Sequence, residues 1–166
     1  TPTLRPAFRK KGTVTAANSS SNSDGASSVI LMLESEAHKR GIKPLARIID
    51  HSTNSQEPKW FTTAPIGAIE KVLEKSGWKK TDVDLFEVNE AFAVVPMAVM
   101  KELSIPKEIL NINGGACALG HPVGASGARI VATLINSLKS KNLKRVLTRI
   151  LSSWCMLYFV NVHCTL

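Results

Sequence analysis

The residue with the clearest chemical capacity is His121, set in the run Asn113-Gly114-Gly115-Ala116-Cys117-Ala118-Leu119-Gly120-His121-Pro122-Val123-Gly124-Ala125-Ser126-Gly127-Ala128-Arg129, which holds five of the chain's ten glycines. Imidazole exchanges a proton near neutral pH, and glycines let a backbone turn tightly and approach a ligand. Three chemistries compete for this loop. Gly115 to Gly120 has the glycine spacing of a phosphate-cradling loop, but His121-Pro122 stands where that motif needs Lys followed by Ser or Thr. Cys117 and His121 could pair, yet they lie on one turn, whereas catalytic pairs meet across a fold, so Cys117 reads as a small buried hydrophobe. The third reading makes His121 a general base or oxyanion donor acting on a group supplied elsewhere.

Two further stretches carry polar groups that chemistry could use. Asn89 follows the apolar run Asp84-Leu-Phe-Glu-Val88 and is either a helix cap or a site residue. Asn18 to Asp24 is a Ser/Asn run, either a plain surface loop or the hydroxyl-rich lining of a ligand site. His38 and His51 sit among polar neighbours and read as solvated. Cys155, His163 and Cys164 match no zinc spacing and lack a fourth ligand, so no metal site is expected.

These groups need elements to hold them. Gly12 to Ala16 reads as a short strand, Ala26 to Glu36 passes into a charged helix ending near Gly41, and Pro44 to Asp50 alternates like a strand. Trp60 and Phe61 are expected to anchor the irregular stretch 51–63 to the core. From Pro65 to Ser76 the residues Ile66, Ile69, Val72 and Leu73 recur at helical spacing, with Pro65 suited to the first turn and Gly77 to the end. Asp84 to Val88 is a strand. Asn89 to Phe92 opens a helix with the stripe Phe92, Val95, Val99 and Leu103, in which Pro96 is expected to cost a hydrogen bond or a kink. Leu110 to Ile112 is a short strand, and Ser126 to Leu138 a helix. Alternating strands and helices imply a layered α/β architecture, with ligands at the carboxyl ends of strands, where Asn89 and the His121 loop both fall.

Composition bounds the partners. At 166 residues with 44% hydrophobic content, the chain suits one domain or one domain with part of another. A net charge of +8 attracts anions, phosphorylated cofactors among them. Apart from Phe8, no aromatic residue interleaves with the basic ones at either end, which argues against nucleic acid. Three cysteines make no disulfide framework and fit a reducing interior. Thr1 to Lys11 lacks the apolar core of a signal peptide. Ile150 to Leu166 is shorter than the ~20 residues a membrane span needs and is interrupted by polar residues, so no membrane partner is expected.

The whole pattern resembles the thiolases. Asn113 to Arg129 is similar to their histidine motif, Val88-Asn-Glu-Ala-Phe-Ala93 to a second, and Gly12-Thr-Val-Thr-Ala-Ala-Asn-Ser-Ser-Ser-Asn-Ser-Asp-Gly-Ala26 to a third, in family order across roughly residues 5 to 145. Within that family the chain looks most like a short-chain acetyl-CoA acetyltransferase. The resemblance implies a layered α/β/α fold, with the end of the N-terminal half in residues 1–40, the C-terminal domain in 41–145 and a divergent tail in 146–166. It implies condensation of two acetyl-CoA to acetoacetyl-CoA and CoA, or the reverse thiolysis, through an acyl-cysteine. His121 would activate that thiol and help bind the thioester oxygen, and Asn89 would hold a water sharing the oxyanion site. Ser20, Ala16, Ala91 and Phe92 would face the pantetheine arm of coenzyme A, which enters as a substrate thioester; no permanent cofactor is implied. Relatives of this kind are homodimers or homotetramers, intracellular, cytoplasmic or mitochondrial.

Departures accompany the match. The nucleophilic cysteine of thiolases lies in an N-terminal half that these residues lack, and a Cys-x-Gly-Gly-Gly stretch expected after Arg145 is replaced by a run without glycine. Ser21 and Ser23 replace a usual glycine and asparagine. The chain therefore reads as a fragment that is inactive alone, or alternatively as a non-catalytic module that binds coenzyme A or a partner. The tail from Val146 is expected to pack poorly.

Overall fold

The computed structural model describes residues 3–149 and 159–163. In chain order the elements are α1 (Glu34–Lys39), β1 (Arg47–Ile48), α2 (Ala64–Ser76), β2 (Leu85–Val88), α3 (Val94–Leu103), α4 (Ala116–Leu119), α5 (Ser126–Lys141), β3 (Arg145–Arg149) and β4 (Phe159–His163). The strands form one sheet in the order β1-β4-β3-β2, with β2 and β3 parallel and the other neighbours antiparallel.

Alternation along the strands makes this sheet the middle of three layers. Phe86 and Val88 of β2 and Leu147 of β3 pack with Ile69 and Val72 of α2 and Val95 and Val99 of α3. Leu85 and Val146 point the other way and pack with Leu134 and Leu138 of α5. Glu87 shares that second face by period, and its register partner is Thr148. A polar pair thus sits where the apolar α5 face of the sheet runs out toward the carboxyl end of β2.

The helix predicted from 65 to 76 forms as α2. Pro65 lies in its first turn, where a missing N–H costs nothing, and Gly77 ends it at φ 67°, a left-handed turn that L residues other than Asn adopt at a cost. Pro96 behaves differently from expectation. The helix begins at Val94, after an irregular turn at Asn89 to Ala93, so Pro96 is its third residue and its nitrogen falls among those without a helical acceptor. It is buried and needs no kink.

Several other expectations change. Gly12 to Ala16 forms no strand: Thr15 makes one bridge to Pro6, and residues 16–18 turn as a 3-10 helix. Of Pro44 to Asp50 only Arg47 and Ile48 pair, and both are exposed. Leu110 contributes a single bridge to Phe86, because Asn111 turns away at φ 49°. Trp60 and Phe61 are 57% and 41% exposed and stay outside the buried core, Phe61 touching it through Phe92. Anchoring of the segment falls to Ser52, whose buried hydroxyl donates to the Ala68 carbonyl at 2.7 Å, and to Asn54, which donates to Ala64 at 3.0 Å. The expectation of poor packing fails for Val146, Leu147 and Thr148, which are buried within β3; residues 150–158 and 164–166, including Cys155 and Cys164, lie outside the described residues.

One segment stands out by exposure. Val29, Ile30, Leu31, Met32 and Leu33 run consecutively before α1, and Ile30 and Leu33 are 88% and 76% exposed. Among the described residues, no helix is long and apolar enough to cross a membrane.

Candidate active site

Two loops leave the same end of the sheet, and their side chains meet. Asn89 comes directly after β2, and its buried side chain brings Nδ2 to 3.3 Å from His121 Nε2. His121 reaches this point because α4 ends at Gly120, which adopts φ 88°. Its backbone N–H donates to the Ser21 carbonyl at 2.9 Å. The other ring nitrogen, Nδ1, lies 2.6 Å from the hydroxyl oxygen of Ser126, the first residue of α5.

With Asn89 placed so that its Nδ2 faces the ring, one proton pattern follows. An amide N–H at Nε2 requires Nε2 to accept, so in the neutral imidazole Nδ1 carries the hydrogen. Nδ1–H then donates to Ser126 Oγ, whose own proton goes to the Pro122 carbonyl at 3.1 Å. The lone pair of Nε2 is thereby directed toward Asn89. Burial lowers the pKa of His121 from its ordinary value, and the Arg129 cation lowers it further. A neutral imidazole whose Nε2 lone pair is held only by this 3.3 Å amide contact can take a proton once the contact yields to a substrate group.

The end of β2 is secured by Asn111. Its side-chain amide copies a strand neighbour, accepting from the Val88 N–H at 2.7 Å and donating to the Val88 carbonyl at 2.8 Å. The same Nδ2 donates to Glu90 Oε1 at 2.9 Å, and Glu90 Oε2 accepts from the Cys117 N–H in the first turn of α4 at 3.2 Å. Glu90 thus ties the Asn89 turn to the glycine loop. Gly115 is required beside it, since a Cβ there would overlap the Glu90 carboxylate. Burial and Glu90 both push the Cys117 thiol above its ordinary pKa, and its sulfur lies 3.6 Å from the Glu90 carbonyl. Cys117 is half-buried rather than fully packed away, and it is held protonated.

The Ser/Asn run lies across both loops. Asn18 accepts from the Ala93 N–H at 2.9 Å, and the Ser20 N–H and hydroxyl both donate to the Ala91 carbonyl at 3.0 Å. Single bridges join Ser19 to Phe92 and Asn22 to His121. Ser20, Ala91 and Phe92 are therefore brought together, while Ala16 stands exposed on the 3-10 turn that leads into them. The Phe92 ring packs edge-on against Phe8 and Phe61 at centroid separations of 5.8 and 6.1 Å.

Behind the site, Arg129 Nη1 lies 3.5 Å from Glu87 Oε1. Burial raises the Glu87 carboxyl to about 7, against the opposing pull of Arg129. Among the described residues, Thr15 Oγ1, Asn89 Oδ1, Arg129 Nη2 and Thr148 Oγ1 are buried polar atoms without a hydrogen-bond partner; Arg129 is the ion partner of Glu87 and Thr148 its register partner. No cluster of three metal-ligating side chains occurs among the described residues.

Sequence reasoning found His121, Asn89 and the Ser20 loop but gave no role to Ser126, Asn111, Glu90, Glu87 or Arg129. Ser126 had a signal, a hydroxyl at a helix start five residues from the histidine. Asn111 had none, because it acts across 23 residues on a backbone edge.

Comparison with known proteins accords with this geometry. Residues 42–156 match the model of the thiolase C-terminal domain, and residues 2–35 that of the thiolase N-terminal domain. A probable acetyl-CoA acetyltransferase of Dictyostelium discoideum is 58% identical over 143 residues, 86% of this chain and 34% of that protein. The crystal structure of the Bacillus anthracis acetyl-CoA acetyltransferase superposes with a TM-score of 0.95 at 41% identity, covering 99% of this chain and 42% of that one. Human mitochondrial 3-ketoacyl-CoA thiolase in complex with CoA gives 0.90 at 37% identity, covering 99% and 42%. The chain spans about a third of the length of the curated relatives it matches. On these grounds, and with Asn89 and His121 converging at the carboxyl end of a three-layer sheet, the chain belongs to the thiolase family.

Proposed function

We propose that this chain is the part of an acetyl-CoA C-acetyltransferase that supplies its histidine base and asparagine, acting on coenzyme A thioesters. The carrying observation is the 3.3 Å approach of Asn89 Nδ2 to His121 Nε2, with Nδ1 held by Ser126. In the reaction, His121 Nε2 takes the proton of a cysteine thiol, and the thiolate attacks the acetyl carbonyl. The carbon–sulfur bond to coenzyme A breaks, and the departing thiolate recovers the proton from the imidazolium. Negative charge gathers on the carbonyl oxygen during the attack, where the imidazolium N–H and a water held by Asn89 act as donors. Run in reverse, these steps return the acetyl group from the cysteine to coenzyme A, the transfer that ends thiolysis; the carbon–carbon bond is made or broken in a separate step for which no base is assigned in this chain.

Cys117 is not that thiol. Burial and Glu90 oppose its ionisation, and a poorly ionised thiol is a weak nucleophile. The nucleophile is assigned to thiolase residues outside the matched segment 2–35, so the chain has no turnover by itself. Ser20, Ala16, Ala91 and Phe92 are proposed to face the pantetheine arm, and basic side chains to meet the phosphates. The parent enzyme is proposed to be an intracellular homodimer or homotetramer, cytoplasmic or mitochondrial.

Titration calorimetry of the full chain with coenzyme A, paired with an acetoacetyl-CoA cleavage assay, tests this reading. Binding without turnover is expected, with turnover appearing when a segment supplying both the N-terminal thiolase residues and the Cys-x-Gly-Gly-Gly stretch is co-expressed. Absence of coenzyme A binding by folded chain overturns the substrate assignment. Cleavage by the chain alone that His121→Ala abolishes overturns the claim of inactivity. Binding with no turnover even after co-expression favours a non-catalytic coenzyme A module.

A further inference from the structure

The Asn89 turn and the glycine loop touch in two places that differ in strength. At the first, Asn89 Nδ2 stands 3.3 Å from His121 Nε2, long for a hydrogen bond and in the path of any group that uses the imidazole as a base. At the second, Glu90, the neighbour of Asn89, accepts with Oε2 from the Cys117 N–H at 3.2 Å, and the Cys117 sulfur lies 3.6 Å from the Glu90 carbonyl. Cys117 belongs to the first turn of α4, whose N-cap Gly115 brings no side chain, so Glu90 caps that turn from across the site. From there α4 runs directly into the histidine: the Gly120 N–H donates to the Ala116 carbonyl at 2.8 Å and closes the helix just before His121.

The other carboxylate oxygen is fixed to the strand. Glu90 Oε1 accepts from Asn111 Nδ2 at 2.9 Å. Asn111 cannot turn its amide over, because Oδ1 accepts from the Val88 N–H while Nδ2 also donates to the Val88 carbonyl. Its backbone N–H donates to the Phe86 carbonyl at 2.9 Å, so the carboxylate is rooted in β2. We propose that Glu90 is a positioning residue for the reaction: clamped between Asn111 and the Cys117 N–H, it keeps His121 and Asn89 in register, which their own contact is too weak to do. This rests on the reading of His121 and Asn89 as the working pair. The clamp needs a carboxylate, since both of its partners are donors and glutamine can accept on one arm alone. Either orientation of a glutamine amide there sets N–H against N–H, at Asn111 or at Cys117. The Ser20 and Ser21 strap spans the same two loops through the Ala91 carbonyl and the His121 N–H, and it is the competing source of register.

Nitrogen-15 NMR of the labelled full chain tests the proposal, with the His121 ring signals assigned by their loss in His121→Gln. In the unsubstituted chain the Cys117 amide is expected to exchange with deuterium about tenfold or more slowly than an open peptide amide. A nuclear Overhauser contact is expected between the Asn89 side-chain amide and the His121 ring. Glu90→Gln is expected to speed exchange at Cys117 about fivefold to tenfold, to weaken the Asn89–His121 contact, and to move Nε2 toward the shift of an unbonded imine nitrogen, with the amide spectra of α2 and α5 unchanged. A carboxylate that merely capped α4 would free the Cys117 amide in Glu90→Gln yet leave Nε2 and the Asn89 contact unmoved; the strap would then set the register, and the proposal is overturned. An unprotected Cys117 amide or a missing Asn89–His121 contact in the unsubstituted chain overturns it whatever the folding of the variant. Calorimetry with coenzyme A separates this claim from the substrate reading. Absence of binding by the unsubstituted chain removes that reading, while the response of the His121 ring to Glu90→Gln stands without it.

Discussion

Glu87 is the residue whose environment most contradicts its chemistry, a carboxyl on a buried strand with one loosely placed cation. Its pKa in the folded chain is raised from 4.5 to about 7, because burial outweighs Arg129. A raised carboxyl pKa means that the folded state binds the proton more tightly than the unfolded one. The corresponding stability is therefore complete below 4.5 and is lost as pH rises toward 7, at up to about 1.4 kcal/mol per pH unit. Glu87→Gln should flatten the denaturation midpoint between those pH values, whereas the unsubstituted chain should decline, as urea titrations at a series of pH values would show. Ser126→Ala removes the acceptor for Nδ1–H and should cost about 1 kcal/mol of stability. The same variant should mix the two neutral tautomers of His121, seen as averaged ring-nitrogen shifts. His121 was legible as one of only four histidines, and Asn89 because it directly follows a strand. Glu87 was not, since a charged residue in Asp84-Leu-Phe-Glu-Val88 looks like the solvent-facing member of an alternating strand until a helix is known to cover that face.

Among the elements, α2 was legible from its ends as well as its stripe: proline in the first turn, glycine after the last, and Ile69 and Val72 fully buried between them. Pro96 shows how a one-turn error in a helix start reverses an energetic conclusion. With the helix beginning at Val94, Pro96→Ala restores no lost bond and should not stabilise; a small loss of up to about 1 kcal/mol is expected from the freer unfolded chain. A rise in thermal midpoint would instead indicate the interior, kinking proline. Leu110 to Ile112 escaped because one bridge and a left-handed Asn111 leave no periodicity to read. The glycine loop is as constrained as any helix. Gly115→Ala should push the Glu90 carboxylate off Asn111 and the Cys117 N–H, at about 1–3 kcal/mol. Differential scanning calorimetry would register this as a drop of several degrees.

For the whole molecule, the three layers followed from the alternation of strands and helices, but the sheet order did not, because β3 and β4 come from the stretch read as a divergent tail. The consecutive exposure of Val29 to Leu33 has a direct cost in solution. Extended apolar residues with open backbone edges recruit other chains. Ile30→Lys combined with Leu33→Lys should reduce light scattering and dye binding at micromolar concentration while leaving the His121 titration unchanged. The segment just before it has the opposite character. Asn18, Ser20 and Ser21 take backbone hydrogen bonds from or give them to Ala93, Ala91 and His121, so residues matched to one domain model hold down two loops of the other. Cutting the chain in the stretch 36–41 would yield a body and a strap rather than two independent modules. The strap's removal would be read first as rapid deuterium uptake at the amides of Ala93 and His121, before any helix loosened.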